Sequence, residues 1–241
     1  MKVAAYQAPL LPDDPASIIR AIRRQIERCE AEGVNVLCCP EAVLGGLADY
    51  AAVPRSIGFD AENGDLAAAL EPLASDAVTS IIGFTEITPD GLYNSAAVFH
   101  GGRVIGIYRK MHPAIRHSVY LAGAELPTFT ISGISFGILI CNDSNFPEHA
   151  ADLAARGATV LFIPTNNALP YDRQDPSDDA RRVDVATART NNVYVIRSDV
   201  AGTTDTVKAR GSTAIVAPDG RVLASAEQAV EDLLIAELQS T

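Results

Sequence analysis

The chain has 241 residues, of which 48% are hydrophobic and 20% are charged, so it is long and apolar enough to bury a large core. Its 19 Lys and Arg residues against 30 Asp and Glu give a formal net charge of −11, which argues against nucleic-acid partners and anionic membrane surfaces. No apolar run approaches the roughly 18 residues of a membrane-spanning helix, and four cysteines, two of them adjacent, do not make a disulfide framework. We therefore expect a reduced, cytoplasmic protein with a single domain over residues 1–241.

The first third of the chain predicts strands and helices in alternation. A strand at residues 2–7 precedes a helix that begins at Asp14-Pro15, an N-cap residue followed by proline at the first helical position. Apolar residues recur every three or four positions along this helix, and a glycine after its last turn ends it. A buried strand at residues 34–39 follows. Residues 65–77 predict a second helix, which Pro72 bends or breaks.

The middle of the chain is typical of β-hairpins. Apolar runs predict strands at residues 78–87, 93–100, 104–108, 128–131 and 134–140. The turn signals between them are Pro89-Asp90-Gly91, Gly101-Gly102 and Ser132-Gly133.

The last hundred residues return to crossover connections. A helix at residues 148–156 precedes a strand at 158–164, and a polar loop at 165–176 leads to a helix that begins near Ser177. Further strands are predicted at residues 193–198, 212–218, 222–226 and 233–238. Hairpins mixed with crossover helices predict an α/β fold in which sheets are buried under helices, rather than a doubly wound sheet alone.

Several familiar motifs are not supported by their context. Residues 133–137 match the G-x-S-x-G nucleophile elbow, but that motif needs a helix after the serine, and here an apolar strand-like run follows Ser135. The four histidines form no spaced pair of metal ligands, and no glycine-rich phosphate-binding loop is present. Cys38 and Cys39 point to opposite faces of a strand and are predicted to be core residues. We expect no metal and no cofactor.

Three reactive residues each follow an apolar strand run directly. Glu41 follows VNVLCCP, Lys110 follows VIGIYR, and Cys141 follows FGILI. Taken singly, each has an ordinary explanation: a helix-capping glutamate, a solvated lysine and a small core cysteine. Placed together at strand ends, they supply a thiol, a base and a cation that can hold developing negative charge.

At these residues the sequence resembles the nitrilase, or carbon–nitrogen hydrolase, superfamily. The matching stretches are PEAVLGG (40–46), YRKMHP (108–113) and CNDSNFPEHA (141–150). Supporting similarity lies in KVAAYQ, GFTEI, YNSAAVF, RTNNVYVIRSDVAG and GSTAIVAPDGRVLA, in the expected order along the chain. The resemblance implies a four-layer α-β-β-α sandwich that forms a homodimer or higher homo-oligomer through its helices.

The resemblance also implies roles for the three residues. Cys141 would be the nucleophile, Glu41 the general base and Lys110 the stabiliser of the tetrahedral intermediate, with the backbone N–H of Asn142 as a second oxyanion donor. A thiol with a pKa near 8.5 is only slightly ionised at neutral pH, so it needs a base or a cation nearby. Water would then hydrolyse the thioester.

The chain departs from the family pattern at two places. Many members carry a second glutamate after the lysine, whereas residues 114–123 contain no carboxylate, and His117 or Ser118 is the candidate replacement for substrate positioning. The family often has arginine before Phe-Pro-Glu, where this chain has Asn145.

These observations predict a thiol hydrolase of a small aliphatic amide or N-carbamoyl compound that uses water and no cofactor. Nitrile hydrolysis is an alternative, disfavoured because Asn142-Asp143 replaces the Trp-Glu pair of many nitrilases. A catalytically silent binding or regulatory subunit is another. Thr165 and Asn166 are candidate substrate contacts, with Asx-type turns as an equally weighted explanation of this loop.

Overall fold

The computed structural model describes residues 1–10 and 15–239 and contains two β-sheets between helices. The strands are β1 Lys2–Pro9, β2 Val36–Cys38, β3 Phe59–Asp60, β4 Thr79–Ile87, β5 Leu92–His100, β6 Arg103–Arg109, β7 Thr128–Ile131, β8 Ile134–Ile138, β9 Val160–Pro164, β10 Leu169–Pro170, β11 Tyr194–Ser198, β12 Val200–Thr203, β13 Val207–Ala209, β14 Ala214–Val216, β15 Val222–Ser225 and β16 Asp232–Glu237. The helices are α1 Pro15–Glu32, α2 Asp65–Leu70, α3 Pro147–Ala155 and α4 Ser177–Asn191, with 3-10 helices at Ala48–Tyr50, Pro54–Ile57, Glu71–Leu73 and Cys141–Asn145.

The first sheet contains both parallel crossovers and antiparallel hairpins. Its order is β10-β13-β12-β1-β2-β4-β5-β6, with β16 paired to β1 and β3 paired to β4. The strands β1, β2 and β4 run parallel, whereas β4, β5 and β6 form antiparallel pairs.

The second sheet has the order β15-β14-β11-β9-β8-β7. Its centre is parallel, because β8 pairs with β9 and β9 pairs with β11 in the same direction. The carboxyl ends of β2, β8, β9 and β11 lead directly into the candidate site residues and their neighbours.

Alternating side chains in the first sheet divide the buried core. On β1 and β2, Val3, Ala5, Val36 and Cys38 belong to the cluster that also contains the strands of the second sheet. The intervening side chains Ala4, Tyr6, Leu37 and Cys39 pack with residues of α1 and α2. Residues of α3 and α4 cover the outer face of the second sheet. The resulting order of layers is α-β-β-α, and the predicted fold class is confirmed.

Most predicted elements are present with shifted ends. Pro72 breaks the second predicted helix as expected, since α2 ends at Leu70 and a 3-10 turn continues at Glu71–Leu73. The predicted N-cap at Asp14 lies outside the described residues. Ser135 of the G-x-S-x-G match lies inside β8, opposite Thr130 of β7, and is therefore not on a nucleophile elbow. Along the described part of the chain, no helix combines the length and apolar character needed to cross a membrane.

Candidate active site

Glu41 is a buried carboxylate whose two oxygens both accept hydrogen bonds. It follows β2, is only 2% exposed, and its Oε1 accepts hydrogen bonds from Lys110 Nζ and from Asn94 Nδ2 at 2.8 Å. Its Oε2 accepts the backbone N–H of Asn166 at 3.0 Å. Since three donors surround the carboxylate, its orientation is fixed before any substrate arrives.

A glycine on the neighbouring strand allows the Glu41 turn to lie this close to the sheet. A Cβ at Gly83 of β4 would come within 2.4 Å of Pro40 O and Ala42 N. Ala42 itself has a positive φ of 47°, a conformation that costs a non-glycine residue about 1 kcal/mol. Gly83 therefore determines how deeply the turn carrying Glu41 is buried.

Lys110 follows β6 and places a buried cation against Glu41. Its side chain is 5% exposed, and its backbone N–H donates to Asn94 O at 2.8 Å. Burial lowers the pKa of the ammonium, but Glu41, Cys141 and Asp143 together raise it above its ordinary value. Lys110 is therefore charged at neutral pH.

Cys141 begins the 3-10 helix that follows β8 after Leu139 and Ile140, and it has a positive φ of 48°. Its carbonyl accepts the Ser144 hydroxyl at 2.7 Å. The buried Asp143 fixes the same turn, because its carboxylate accepts the Ile140 N–H at 3.1 Å and the Tyr108 hydroxyl at 2.7 Å. Cys141 therefore lies outside the strand pairing of β8, in a turn that the hydrogen bonds of Asp143 and Ser144 hold in place.

Opposing charges act on the Cys141 thiol. Burial is the largest influence and raises its pKa to about 12, and the carboxylates of Glu41 and Asp199 act in the same direction. The cations of Lys110 and Arg197 lower it. At neutral pH the thiol is therefore protonated, and its use as a nucleophile requires an acceptor for that proton, which Glu41 can provide.

Asn142 lies beside the nucleophile candidate, and its half-buried side chain is held by hydrogen bonds within the neighbouring loops. Its Nδ2 donates to His112 O at 3.1 Å, and its Oδ1 accepts Asn145 Nδ2 at 3.0 Å. Its backbone N–H is in the first turn of the 3-10 helix, where amides have no partner within the helix. The backbone, rather than the side chain, is the part of Asn142 suited to hold an oxyanion.

The predicted loop residues occupy different positions around Glu41. Asn166 is in contact with it through its backbone, while its Oδ1 accepts the Ala168 N–H at 3.2 Å in an Asx-type turn. The Thr165 side chain is fully buried behind the site, where its hydroxyl accepts Arg197 Nη1 at 2.7 Å. His117 is exposed on the loop after Lys110.

The carboxylate of Asp49 lies next to residues 114–123, the segment that contains no carboxylate of its own. The Ser118 hydroxyl and the Val119 N–H donate to the two oxygens of Asp49 at 3.0 and 2.8 Å. Burial raises the pKa of the adjacent Tyr50, and the carboxylates of Asp49 and Glu41 raise it further. The loop after Glu41 therefore brings a second carboxylate to this side of the site.

Sequence reasoning missed four residues that organise this region, namely Asn94, Asp143, Arg197 and Asp49. Asn94 and Arg197 interrupt apolar strands, and a polar side chain in a buried strand signals that a buried partner must exist. The identity of that partner depends on the fold. Within residues 1–10 and 15–239, no group of three or more His, Cys, Asp or Glu side chains is arranged to hold a metal ion.

Comparison with known proteins gives a consistent result. A family model described as carbon–nitrogen hydrolase matches residues 2–241. A nitrilase from Pyrococcus abyssi (strain GE5 / Orsay) is 33% identical over 245 residues, which cover 99% of this chain and 89% of the relative. An N-carbamoylputrescine amidase from Arabidopsis thaliana is 27% identical over 247 residues, covering 93% of this chain and 82% of the relative.

A solved structure shares the fold over almost the whole chain. It is a mutant of the amidase from Nesterenkonia sp. AN1, showing the result of Michael addition of acrylamide at its active-site cysteine. It has a TM-score of 0.82 and 23% sequence identity, and the match covers 99% of this chain and 93% of that chain.

Proposed function

Since the chain belongs to the carbon–nitrogen hydrolase family of the nitrilase superfamily, we propose that it hydrolyses a small aliphatic amide or an N-carbamoyl compound with Cys141 as nucleophile, Glu41 as general base and Lys110 as oxyanion stabiliser. The observation that carries the proposal is the buried Lys110–Glu41 pair beside a protonated thiol on a strained turn. A carboxylate and an ammonium that are buried together cost free energy through desolvation, so their retention favours a chemical role.

The first half of the proposed reaction forms a thioester. Cys141 Sγ attacks the carbonyl carbon of the amide while its proton moves to Glu41. The carbonyl oxygen gains the negative charge, which the Lys110 ammonium and the Asn142 N–H stabilise. The C–N bond then breaks, and the nitrogen takes the proton from Glu41 and leaves as ammonia or an amine.

The second half returns the enzyme to its starting state. Water gives a proton to Glu41 and attacks the thioester carbon, forming a second oxyanion at the same donors. The C–S bond breaks, the sulfur regains its proton from Glu41, and the carboxylic acid leaves. Because Glu41 accepts and returns one proton in each half-reaction, the cycle consumes only the substrate and water.

The substrate assignment is supported by the relative named N-carbamoylputrescine amidase and by the amidase that shares the fold. The Pyrococcus relative named nitrilase keeps nitriles among the compounds to be tested. Asp49, held by Ser118 and Val119 on the side of the site that lacks the second family glutamate, is the residue we assign to positioning the substrate amide nitrogen.

The deciding experiment is a screen for ammonia release from amides, ureido compounds and nitriles. Wild-type protein is compared with Cys141→Ala at each substrate, with Cys38→Ala as the matched control because it removes a thiol from the core. We expect at least one amide or ureido compound to be hydrolysed by the wild type and the control but not by Cys141→Ala. Equal ammonia release by Cys141→Ala would reject the nucleophile, and no release from any compound would favour the silent subunit.

We also propose that the protein works in the cytoplasm as a single-domain homodimer. The four cysteines are free thiols, which suits a reducing compartment, and the family match extends over residues 2–241. Light scattering coupled to size-exclusion chromatography tests the assembly: a mass of about one chain would contradict the dimer.

A further inference from the structure

Arg197 is the most deeply buried cation that the proposed reaction does not use. It lies on β11 among apolar residues, and its side chain is 2% exposed. Its Nε and Nη2 donate to the carboxylate of Asp184 on α4 at 2.8 and 2.6 Å, and the Asp184 side chain is fully buried. The guanidinium therefore has a fixed orientation, with its remaining N–H groups available to other partners.

Those remaining donors reach the turns of the proposed nucleophile and the proposed base. Arg197 Nη2 donates to Ser144 Oγ at 3.1 Å, and the same hydroxyl donates to the carbonyl of Cys141 at 2.7 Å. Arg197 Nη1 donates to Thr165 Oγ1 at 2.7 Å, and the carbonyl of Thr165 accepts the Glu41 N–H at 3.2 Å. One rigid planar group thus connects the backbone of the nucleophile to the backbone of the base.

A stabilising role alone is a weak explanation for this arrangement. Buried ion pairs contribute little net stability compared with apolar residues of the same volume. Asn145, in the Cys141 turn, is exposed and donates to Asn142. The Arg197 cation reaches this turn from β11, through its hydrogen bond to Ser144.

We propose that Arg197 is a positioning residue that holds the Cys141 turn and the Glu41 turn at a fixed spacing, so that the thiol proton can pass to the carboxylate. The proposal rests on the assignment of Cys141 and Glu41 under the proposed function. It makes Ser144 and Thr165 the two connections through which Arg197 acts, and Asp184 the anchor that orients the guanidinium.

The proposal is tested by variants that remove one hydrogen-bonded connection of Arg197 and keep its ion pair with Asp184. Ser144→Ala removes the link to the Cys141 carbonyl, and Thr165→Val removes the link toward Glu41. We expect each variant to lower kcat by about 10-fold or more with KM within about twofold, because misplaced reacting groups slow the chemical step. The fully buried Val195→Ala on the same strand is the control and should leave kcat unchanged.

A second measurement needs no substrate. Replacing the ion pair by apolar residues, Arg197→Met with Asp184→Leu, retains a filled core. Because the Arg197 cation lowers the pKa of the Cys141 thiol, we expect iodoacetamide to alkylate Cys141 of this double variant about 3- to 10-fold more slowly at pH 8 than in the wild type. Val195→Ala should alkylate at the wild-type rate.

Three outcomes overturn the proposal: wild-type kcat in both Ser144→Ala and Thr165→Val, alkylation of the double variant at the wild-type rate, or wild-type kcat in Arg197→Lys. Arg197→Lys keeps the positive charge and loses the planar, forked set of donors. This variant should therefore alkylate at the wild-type rate, while its kcat stays below that of the wild type. If the wild type hydrolyses nothing in the substrate screen, the proposed function fails, and the alkylation rates still decide whether Arg197 acts on Cys141.

Discussion

The Cys141 turn and the Cys38–Cys39 strand contain similar thiols in different surroundings. Burial raises the pKa of Cys38 and of Cys141 to about 12. Cys38 and Cys39 lie in or directly after β2 with side chains in the two apolar cores. Cys141 lies beyond the end of β8, where the Glu41 carboxylate and the Lys110 cation act on it, whereas the Arg197 cation acts on both Cys38 and Cys141. A thiol pKa therefore does not identify the nucleophile; the ionic groups around the thiol do.

Backbone geometry explains how these surroundings differ. The side chains of β2 alternate between the inter-sheet core and the helix-covered core, and burial is the largest influence on the pKa of both thiols. The left-handed backbone at Cys141 takes the residue out of this alternation. The strain at that residue is the local cost of presenting a thiol to the Lys110–Glu41 pair.

The largest effect is expected from removing one thiol or the other. Cys141→Ala should lower the rate of ammonia release by at least ~10⁴-fold, because no other group can form the thioester. Cys38→Ala should retain kcat and lower the free energy of unfolding by about 1–2 kcal/mol through lost packing. Steady-state kinetics and urea denaturation measure the two effects. Loss of activity in Cys38→Ala with a native unfolding transition would contradict this distinction.

Removing one partner of the buried Lys110–Glu41 pair should lower both stability and activity, whereas removing both partners should separate the two effects. Glu41→Gln and Lys110→Met should each lower kcat by about 10²–10³-fold. Each should also destabilise the fold by about 3–5 kcal/mol, because an uncompensated charge is left buried. The double variant should regain much of the stability and none of the activity. Additive losses of stability in the double variant would show that the two groups do not interact.

A smaller effect is expected at the substrate-facing loops. Asp49→Asn should raise KM by about 5–10-fold with a smaller change in kcat, because a neutral amide binds the substrate nitrogen less strongly than a carboxylate. His117→Ala, on the exposed loop nearby, should change kcat/KM by less than about twofold. Kinetics with the best amide from the screen distinguish these positions. The reverse order of effects would move substrate positioning from Asp49 to His117.

The smallest expected difference is in alkaline stability. Burial raises the pKa of Cys29, Cys38 and Cys141 from 9.0 to about 12, so the folded state favours the neutral thiols. This contribution is complete below pH 9 and is lost as the pH rises from 9 toward 12. Cys38→Ala should therefore reduce the slope of unfolding free energy against pH in this range by up to ~1.4 kcal/mol per pH unit. An unchanged slope in urea titrations at pH 8, 9 and 10 would contradict it.

The three proposed catalytic residues could be predicted from the sequence, because each one follows a local apolar run. Glu41, Lys110 and Cys141 each follow an apolar run, and the fold brings Glu41 and Lys110 into contact across 69 positions. The partners Asn94 and Asp49 could not be predicted, because hydrogen bonds between distant segments leave no local periodicity. Thr165 shows the same limit: the pattern placed it in a polar loop, whereas its hydroxyl faces Arg197 in the interior.

The strands likewise divide into those that the local sequence predicts and those that it does not. Apolar strands such as β4 and β5 were predicted within one residue of their ends, since burial of both faces leaves a continuous apolar run. The short strands β12 and β13 contain glycine, threonine and lysine and were missed. They form by pairing with each other and with β1, a tertiary effect that local composition does not contain.

The most direct test is the alkylation rate of Cys141 by iodoacetamide at pH 8 in Glu41→Gln and in Lys110→Met, measured by peptide mass spectrometry. Glu41 raises and Lys110 lowers the pKa of this thiol, and the thiolate is the reacting species. The ionic surroundings therefore predict faster alkylation than in the wild type for Glu41→Gln and slower alkylation for Lys110→Met, with Cys29 unchanged in both. Wild-type rates at Cys141 in both variants would contradict the claim that these two residues control the nucleophile.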